Sequence, residues 1–453
     1  MNSRSKSRNF IPKRWISLML LLALIASTLL SSACSLLEFG TSERTQKVDD
    51  ELFIAPENGE YLNEVETVHT LILAMNNTDK IESIWRHIPS KQRSEINLSL
   101  FVSYIRILKQ VMPNNVVSFS KATAEETAAL RLNISRSVPA LADEADRSSF
   151  WYIHTQGSNN LQEKFAVSIN KTEAGVPYFS SAWVAKQAFL YDYIRLYFSA
   201  LEEENPSALF GLLHQQHNTH MTTYEQAVES RVAALLSYYG EFSSIQLRSY
   251  KIVELMPGNA RVVQSSLPDG SGSRTVSFRE NNAVVSVNER IPQVLDLSDI
   301  DIYHNDELSF RLESSAHKLL SSTSLPKLGI PLDIRLLSED DADTEIVTEG
   351  KDVNFRVSWP GIQIYAYGSF NINEQFFDGI IKRVDLFYSD YESGGGLSVG
   401  DPINLLYIKY PFARENDYLI RGESYGVDLT LAVQVESDYI ARLTILSEEA
   451  PLP

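Results

Sequence analysis

Cysteine is almost missing from this chain: Cys34 is the only one in 453 residues. One thiol cannot close an internal disulfide, and no paired cysteines exist to hold zinc. Basic side chains are also scarce. Forty Lys and Arg stand against 58 Asp and Glu, a formal net charge of −18, which argues against nucleic acid as a partner. After the first thirty-odd residues no apolar run is long enough to cross a bilayer. Catalytic signatures are absent too: there is no H-E-x-x-H, no G-x-S-x-G and no Walker motif. No residue is therefore singled out as catalytic, and a non-enzymatic role is expected.

What is present begins at the N-terminus. Arg4, Lys6, Arg8, Lys13 and Arg14 precede an apolar run from Trp15 to Leu30, and Ser31-Ser32-Ala33 lead into Cys34. A basic region, an apolar region and small residues before a cut describe a secretory signal over residues 1–33. Subtracting its five basic side chains from a net charge of −18 leaves about −23 for the remainder. The position of Cys34 resembles the lipobox of bacterial lipoproteins, although Ser31 stands where that family prefers Leu and Leu30 lies one step earlier. The resemblance implies a diacylglycerol on the Cys34 sulfur, a lipid-anchored protein on the outer side of the membrane, and partners in the cell envelope. An uncleaved anchor is the alternative, because Trp15–Ala33 is nearly long enough to span. A chain this acidic needs a covalent lipid rather than a basic patch to hold it to membrane.

Residues 34–59 are polar and read as a lipidated tether. Three folded parts are expected after it: residues 60–185, 186–294 and 295–453. In the first, Val65, Val68, Ile72 and Met75 follow helical spacing, as do Phe101, Ile105, Leu108 and Met112. A short helix over Thr78–His87, capped by Thr78 or Asp79, is expected between them. Strands are expected at Val116–Ser120, Ala129–Ile134, Phe150–Thr155, Phe165–Asn170 and Val176–Trp183. In the second part helices are expected over Phe189–Glu204, Pro206–His214 and Tyr224–Tyr239. Strands then follow at Ile245–Leu255, Ala260–Ser266, Arg274–Arg279 and Ala283–Glu289. Long helix, short helix, long helix and a run of strands thus occur twice.

That order resembles the ketosteroid-isomerase-like cone, three helices packed into a curved antiparallel sheet. The resemblance implies an α+β fold with two cone modules, each able to enclose a pocket, and transfers no catalytic residue. In the last part, a helix is expected over Ala316–Ser322 and a hairpin around Pro360-Gly361. A strand over Ile380–Tyr388 precedes Gly394-Gly395-Gly396-Leu397-Ser398-Val399-Gly400-Asp401, which leads into a helix over Pro402–Tyr410. Asp401 is placed to cap that helix, and strands over Val427–Val435 and Tyr439–Leu446 close the chain. The Gly-Leu-x-Val-Gly-Asp turn resembles the repeats of β-lactamase-inhibitor-protein-like domains and small outer-membrane-assembly lipoproteins, which implies protein binding.

Four constellations carry chemistry on paper. His214, His217 and His220 recur every third residue; imidazoles suit zinc, copper or nickel, although a helix would turn His214 and His220 apart, and a polar inter-helix connection explains the cluster equally well. Ser315-Ala316-His317-Lys318 spells S-x-x-K without the accompanying S-D-N or K-T-G. Gly394–Gly396 lacks the Lys-Ser that would make it a phosphate loop and reads as a flexible turn. Asp296, Asp299, Asp301 and Asp306, and likewise Glu339, Asp340, Asp341 and Asp343, lack the glycine of a calcium loop and read as solvated surface. Aromatics at Tyr191, Tyr193, Tyr197, Phe198, Tyr238 and Tyr239, and at Tyr365, Tyr367, Phe370, Phe376 and Phe377, read mostly as core, with some free to line a pocket. The expectation is a lipid-anchored binding or protein-interaction scaffold taking a small ligand or an envelope protein. A cell-envelope hydrolase with its site in a cone pocket, and a metal-handling lipoprotein, are the alternatives.

Overall fold

The computed structural model describes residues 46–47, 59–156, 162–214, 222–265, 272–281, 284–295, 297–304, 307–312, 328, 331–337, 352–371, 376–424 and 427–447. The signal segment, Cys34, most of the tether, Asp296, Asp306, the expected helix over Ala316–Ser322, the S-x-x-K tetrad and the acidic run at 339–343 lie outside them. The chain is α+β, and its described sheets are paired antiparallel within each named ladder. Two compact units emerge: residues up to 131 with 144–180, and residues 132–143 with 181 onward.

In the first unit, Gln46–Lys47 forms strand β1. Helices α1 (Glu64–Asn76), α2 (Ile81–His87), α3 (Ser90–Arg93) and α4 (Leu98–Val111) come next. Strand β2 (Val116–Lys121), helices α5 (Ala124–Ser137, whose residues after 131 belong to the second unit) and α6 (Ala142–Arg147, whose first two residues do as well), and strands β3 (Ser149–Gln156), β4 (Gln162–Lys171) and β5 (Pro177–Tyr178) complete the order. The sheet runs β1-β2-β3-β4-β5. Part of the expected tether is therefore sheet: Gln46 pairs with Phe119 and Lys47 with Ser118. The apolar stripes of α1 and α4 are buried as their spacing requires, Val68, Ile72, Phe101, Ile105 and Leu108 all being inaccessible.

Three expectations in this unit are corrected. Helix α2 starts at Ile81 behind Lys80, and neither Thr78 nor Asp79 caps it. Ala129–Ile134 is helix rather than strand. Thr123 accepts from the Glu126 amide at 3.1 Å while the Glu126 carboxylate accepts from the Thr123 amide at 2.9 Å, a capping box that starts a helix and overrides the local alternation of Leu130, Leu132 and Ile134. Only Pro177–Tyr178 of the expected Val176–Trp183 strand is strand, because the next helix already begins at Ser181.

The second unit opens with α7 (Ser181–Glu202), α8 (Pro206–His214), α9 (Thr222–Tyr239) and α10 (Ser244–Arg248). A four-stranded meander follows: β6 (Tyr250–Met256), β7 (Asn259–Ser265), β8 (Ser273–Asn281) and β9 (Val284–Glu289). Helix α10 takes the first third of the expected Ile245–Leu255 strand. Ser243 and Gln246 form a capping box there, and a box commits the chain to one helical turn before the strand can begin.

The rest of the unit comprises β10 (Ile302–His304), β11 (Glu307–Phe310), β12 (Asp333–Leu337), β13 (Asp352–Trp359), β14 (Ile362–Asn371), β15 (Phe376–Leu386), β16 (Tyr391–Ser393), α11 (Ile403–Lys409), β17 (Leu419–Ser424), β18 (Val427–Glu436) and β19 (Tyr439–Ser447). A seven-stranded sheet runs β12-β13-β14-β15-β19-β18-β17, and a small one runs β11-β10-β16. One core joins Leu295, Phe310, Phe355, Ile364, Leu406 and Leu443. The hairpin at Pro360-Gly361 is present, with Gly361 at φ +77° and no room for a Cβ beside Tyr388. Asp401 does not cap α11. Its carboxylate accepts from the Ser398 amide at 2.7 Å, closing the preceding turn, and Pro402 occupies the cap position without a side-chain bond.

Glu64, at the start of α1, accepts from the Trp151 indole at 2.8 Å and pairs with Lys121 at 3.0 Å and Lys171 at 2.7 Å. Burial pushes its carboxyl upward, but the two lysines outweigh that and hold it below the usual carboxylate value. A depressed folded pKa contributes stability that is present above the unfolded value and lost as pH falls through the carboxylate range. Thermal melts of the protein are expected to show that acid-side loss, and Glu64→Gln should flatten it while lowering the melting temperature at pH 7.

Candidate functional site

Strand β8 alternates Val276, Phe278 and Glu280 inward, so period two carries a carboxylate onto the apolar face of the meander. Glu280 is 1% exposed. Its backbone amide donates to the Gly258 carbonyl at 2.8 Å, and its Oε1 pairs with Lys186 Nζ from α7. Its Oε2 is sealed from solvent and has no hydrogen-bond partner among the described residues. A buried carboxylate oxygen left open is costly, because its lost hydration is replaced by nothing.

This pair lies in a cleft of about 420 Å³. One wall is α7, through Ala182, Ala185, Lys186 and Phe189; the other is Val138, Ala140 and Leu141. That second wall is pinned. Gly258 in the β6–β7 turn has φ +78°, and a Cβ there would come within 2.5 Å of Ser137, while Asn259 Nδ2 donates to Ser137 Oγ at 2.9 Å. The α7 wall is fixed by Gln187, whose amide donates to the Leu255 carbonyl at 2.8 Å. Small residues on facing walls suit an apolar body, with the partly exposed Lys186 ammonium as the polar group at hand and Glu280 sealed behind it as its counter-charge. Neither Lys186 nor Glu280 was singled out by sequence reasoning; the signal was a Glu sitting in register with Val276 and Phe278.

A second buried cluster lies in the same unit. Glu289 at the end of β9 is wholly inaccessible. It accepts from the Tyr197 hydroxyl, from the Tyr239 hydroxyl at 2.9 Å and from Arg274 Nη2 at 3.0 Å. Burial pushes the Glu289 carboxyl above its ordinary value despite Arg274, and it pushes the Tyr197 hydroxyl up as well. Arg274 lies over both Tyr238 and Tyr239. Arg231, half-buried, donates to the Val287 carbonyl at 3.0 Å and pairs with the buried Glu415 at 2.8 Å.

The expected site residues are placed as follows. His214 ends α8, its ring stacked on Phe210 at 5.0 Å and its Nε2 3.9 Å from Glu225; His217 and His220 lie outside the described residues. Among the described residues no group of three His, Cys, Asp or Glu side chains converges on one point. The expectation of solvated loop for Asp299 and Asp301 is overturned. Asp299 is buried against Lys409 at 2.9 Å and the Tyr410 hydroxyl at 2.7 Å, and Asp301 pairs with Arg311 at 3.1 Å. Gly394 is no free turn either: its amide donates to the Asp301 carbonyl at 2.7 Å, and a Cβ there would overlap the Ser298 carbonyl oxygen. Glycine is present because two backbones touch. Of the aromatics, Tyr191, Tyr193, Tyr197, Phe198, Tyr239 and Tyr365 are buried while Tyr367 is exposed; the side chains of Phe370, Phe376 and Phe377 lie outside those described. In the first unit Ser120 Oγ lies 3.0 Å from His154 Nε2, but Ser120 is 2% exposed and so shut off from a substrate.

Glu289→Ala is expected to destabilise the protein by about 3–5 kcal/mol, since it strands a buried arginine and two hydroxyls. Tyr239→Phe should cost about 1 kcal/mol, both read from urea melts at neutral pH. No protein-family model, no curated protein and no solved structure matches the chain.

Proposed function

We propose that this protein is a lipid-anchored, extracytoplasmic binding protein of the cell envelope, in which the cleft between α7 and residues 138–141 takes a small apolar ligand. One observation carries the ligand half of that reading: a pre-formed apolar cleft with a single Lys186–Glu280 pair at its floor. A binder needs an apolar cavity with few placed polar groups, whereas a hydrolase needs a nucleophile or an acid and base brought to one point. The cleft lining supplies the former. The anchoring half rests on the basic and apolar residues before Cys34 and on the acidic remainder of the chain. Among the described residues no helix is long and apolar enough to cross a membrane.

Two measurements test the two halves separately. Radiolabelled palmitate is expected to enter the wild-type protein in cells and not the Cys34→Ser form; equal labelling, or none in either, defeats the anchor. An apolar fluorophore such as 1-anilinonaphthalene-8-sulfonate is expected to brighten on the wild-type protein and to lose most of that signal with Ala185→Leu or Ala140→Leu. Both alanines are exposed at the cleft mouth, so the larger side chains fill space without disturbing core. Unchanged fluorescence in both variants would place the fluorophore elsewhere and defeat the ligand half.

A further inference from the structure

The seven-stranded sheet ends on an apolar edge. Among the described residues β12 has a strand on one side only, β13. We propose that this edge pairs antiparallel with β12 of a second copy of the chain, about a two-fold axis at Ile334. The pairing is independent of the cleft and of what the cleft binds.

The inner face of β13 is sealed, with Phe355 and Val357 buried in the core. Their cross-strand neighbours on β12 are Leu336 and Ile334, so period two turns both toward the core side of the sheet. Yet Ile334 is 39% and Leu336 37% exposed, and Leu332, just before the strand, is 71% exposed. The core face thus continues into an open apolar strip at the sheet edge. Such an edge is a template for another strand.

Charge selects which strand. Edges that stay single carry charges that repel a partner; this one carries Asp333 and Arg335, of opposite sign, on either side of Ile334. An antiparallel pair that sets Ile334 against Ile334 of the second copy brings each Asp333 opposite an Arg335. It also brings each Leu332 opposite a Leu336. Centring the pair on Arg335 would oppose two arginines, and repulsion rejects that register. The order Leu-Asp-Ile-Arg-Leu over 332–336 is therefore its own complement, as a two-fold interface requires. Little is lost within each copy. Asp333 is shared by Arg335 at 2.7 Å and Arg356 at 3.1 Å. Arg356 still compensates it when the exposed Arg335 turns to the second copy.

The test uses the full chain with Cys34→Ser, in a non-ionic detergent that keeps its apolar leader from associating. Sedimentation velocity is expected to show a monomer–dimer equilibrium. Arg335→Asp and Asp333→Arg should each weaken the dimer by about tenfold, because each sets like charges face to face. Mixing those two variants should restore dimer, since each then supplies the charge the other lacks. Circular dichroism checks that both stay folded. Register is read by mild oxidation in the same background. Ile334→Cys should cross-link to itself, and Leu332→Cys should cross-link to Leu336→Cys in a mixture but not to itself. A monomer at every concentration overturns the proposal. So does a dimer that neither charge variant weakens, which must use another surface. A dimer that the variants weaken but mixing does not restore, or an Ile334→Cys form that stays uncrosslinked, overturns it too, because the strand would then be meeting something other than itself.

Discussion

A carboxylate sealed inside the second unit sets the terms for the elements around it. Glu289 has no access to water, so its lost hydration must be replaced by protein donors or the charge must go. The replacements come from three different elements: Tyr197 from α7, Tyr239 from α9 and Arg274 from β8. Displacing any one of those elements takes its donor away from the shared carboxylate. A buried ion pair adds little net stability over a well-packed apolar core, yet losing one partner is severe. Glu289 therefore acts as a constraint on geometry more than as a source of binding energy. Arg231 extends the constraint. It reaches from α9 to the Val287 carbonyl on β9 and to Glu415 beyond α11, so the meander and the seven-stranded part of the same unit share one charged joint.

The cleft inherits its shape from that joint. Helix α7 is held by Tyr197 on one turn and by Gln187 several turns earlier, which fixes the azimuth at which Lys186, Ala185 and Phe189 project. Strand β8 is held by Arg274 near its start, which fixes the register that turns Glu280 inward near its end. The Lys186–Glu280 pair is thus positioned by two independently pinned elements. Packing of the helix against the sheet shapes the cleft.

Most regular elements were legible because burial imposes periods of 3.6 and 2 on the sequence. The stripes of α1 and α4, the helix over Pro206–His214 and the hairpin around Pro360-Gly361 sit where their apolar spacing places them. The failures have a common cause. At Ala129–Ile134 and at Ile245 a short alternating pattern suggested strand, while a capping box three to six residues upstream or adjacent had already fixed the first helical turn. Local side-chain to backbone bonds decided the outcome where periodicity was ambiguous. The site was less legible than the fold. Nothing in a single Glu or Lys says that it faces inward; Glu280 could be found only by reading its register with Val276 and Phe278. Asp299 and Asp301 looked like surface because their partners, Lys409, Tyr410 and Arg311, are distant or inconspicuous in sequence.

These buried carboxylates also change what the overall charge means. Glu289 takes Arg274, Glu415 takes Arg231, Asp299 takes Lys409, and Asp385 takes both Arg383 and Arg442. In each pairing the carboxylate is the sealed member, while Lys409 and Arg442 keep about a third of their side chains in water. The buried acids are therefore neutralised where they lie, and the formal net charge of −18 is carried by the rest of the chain, a field that opposes anionic polymers and anionic head groups alike. Under the proposed anchoring, the acidic composition leaves the lipid on Cys34, rather than basic side chains, to supply the attachment.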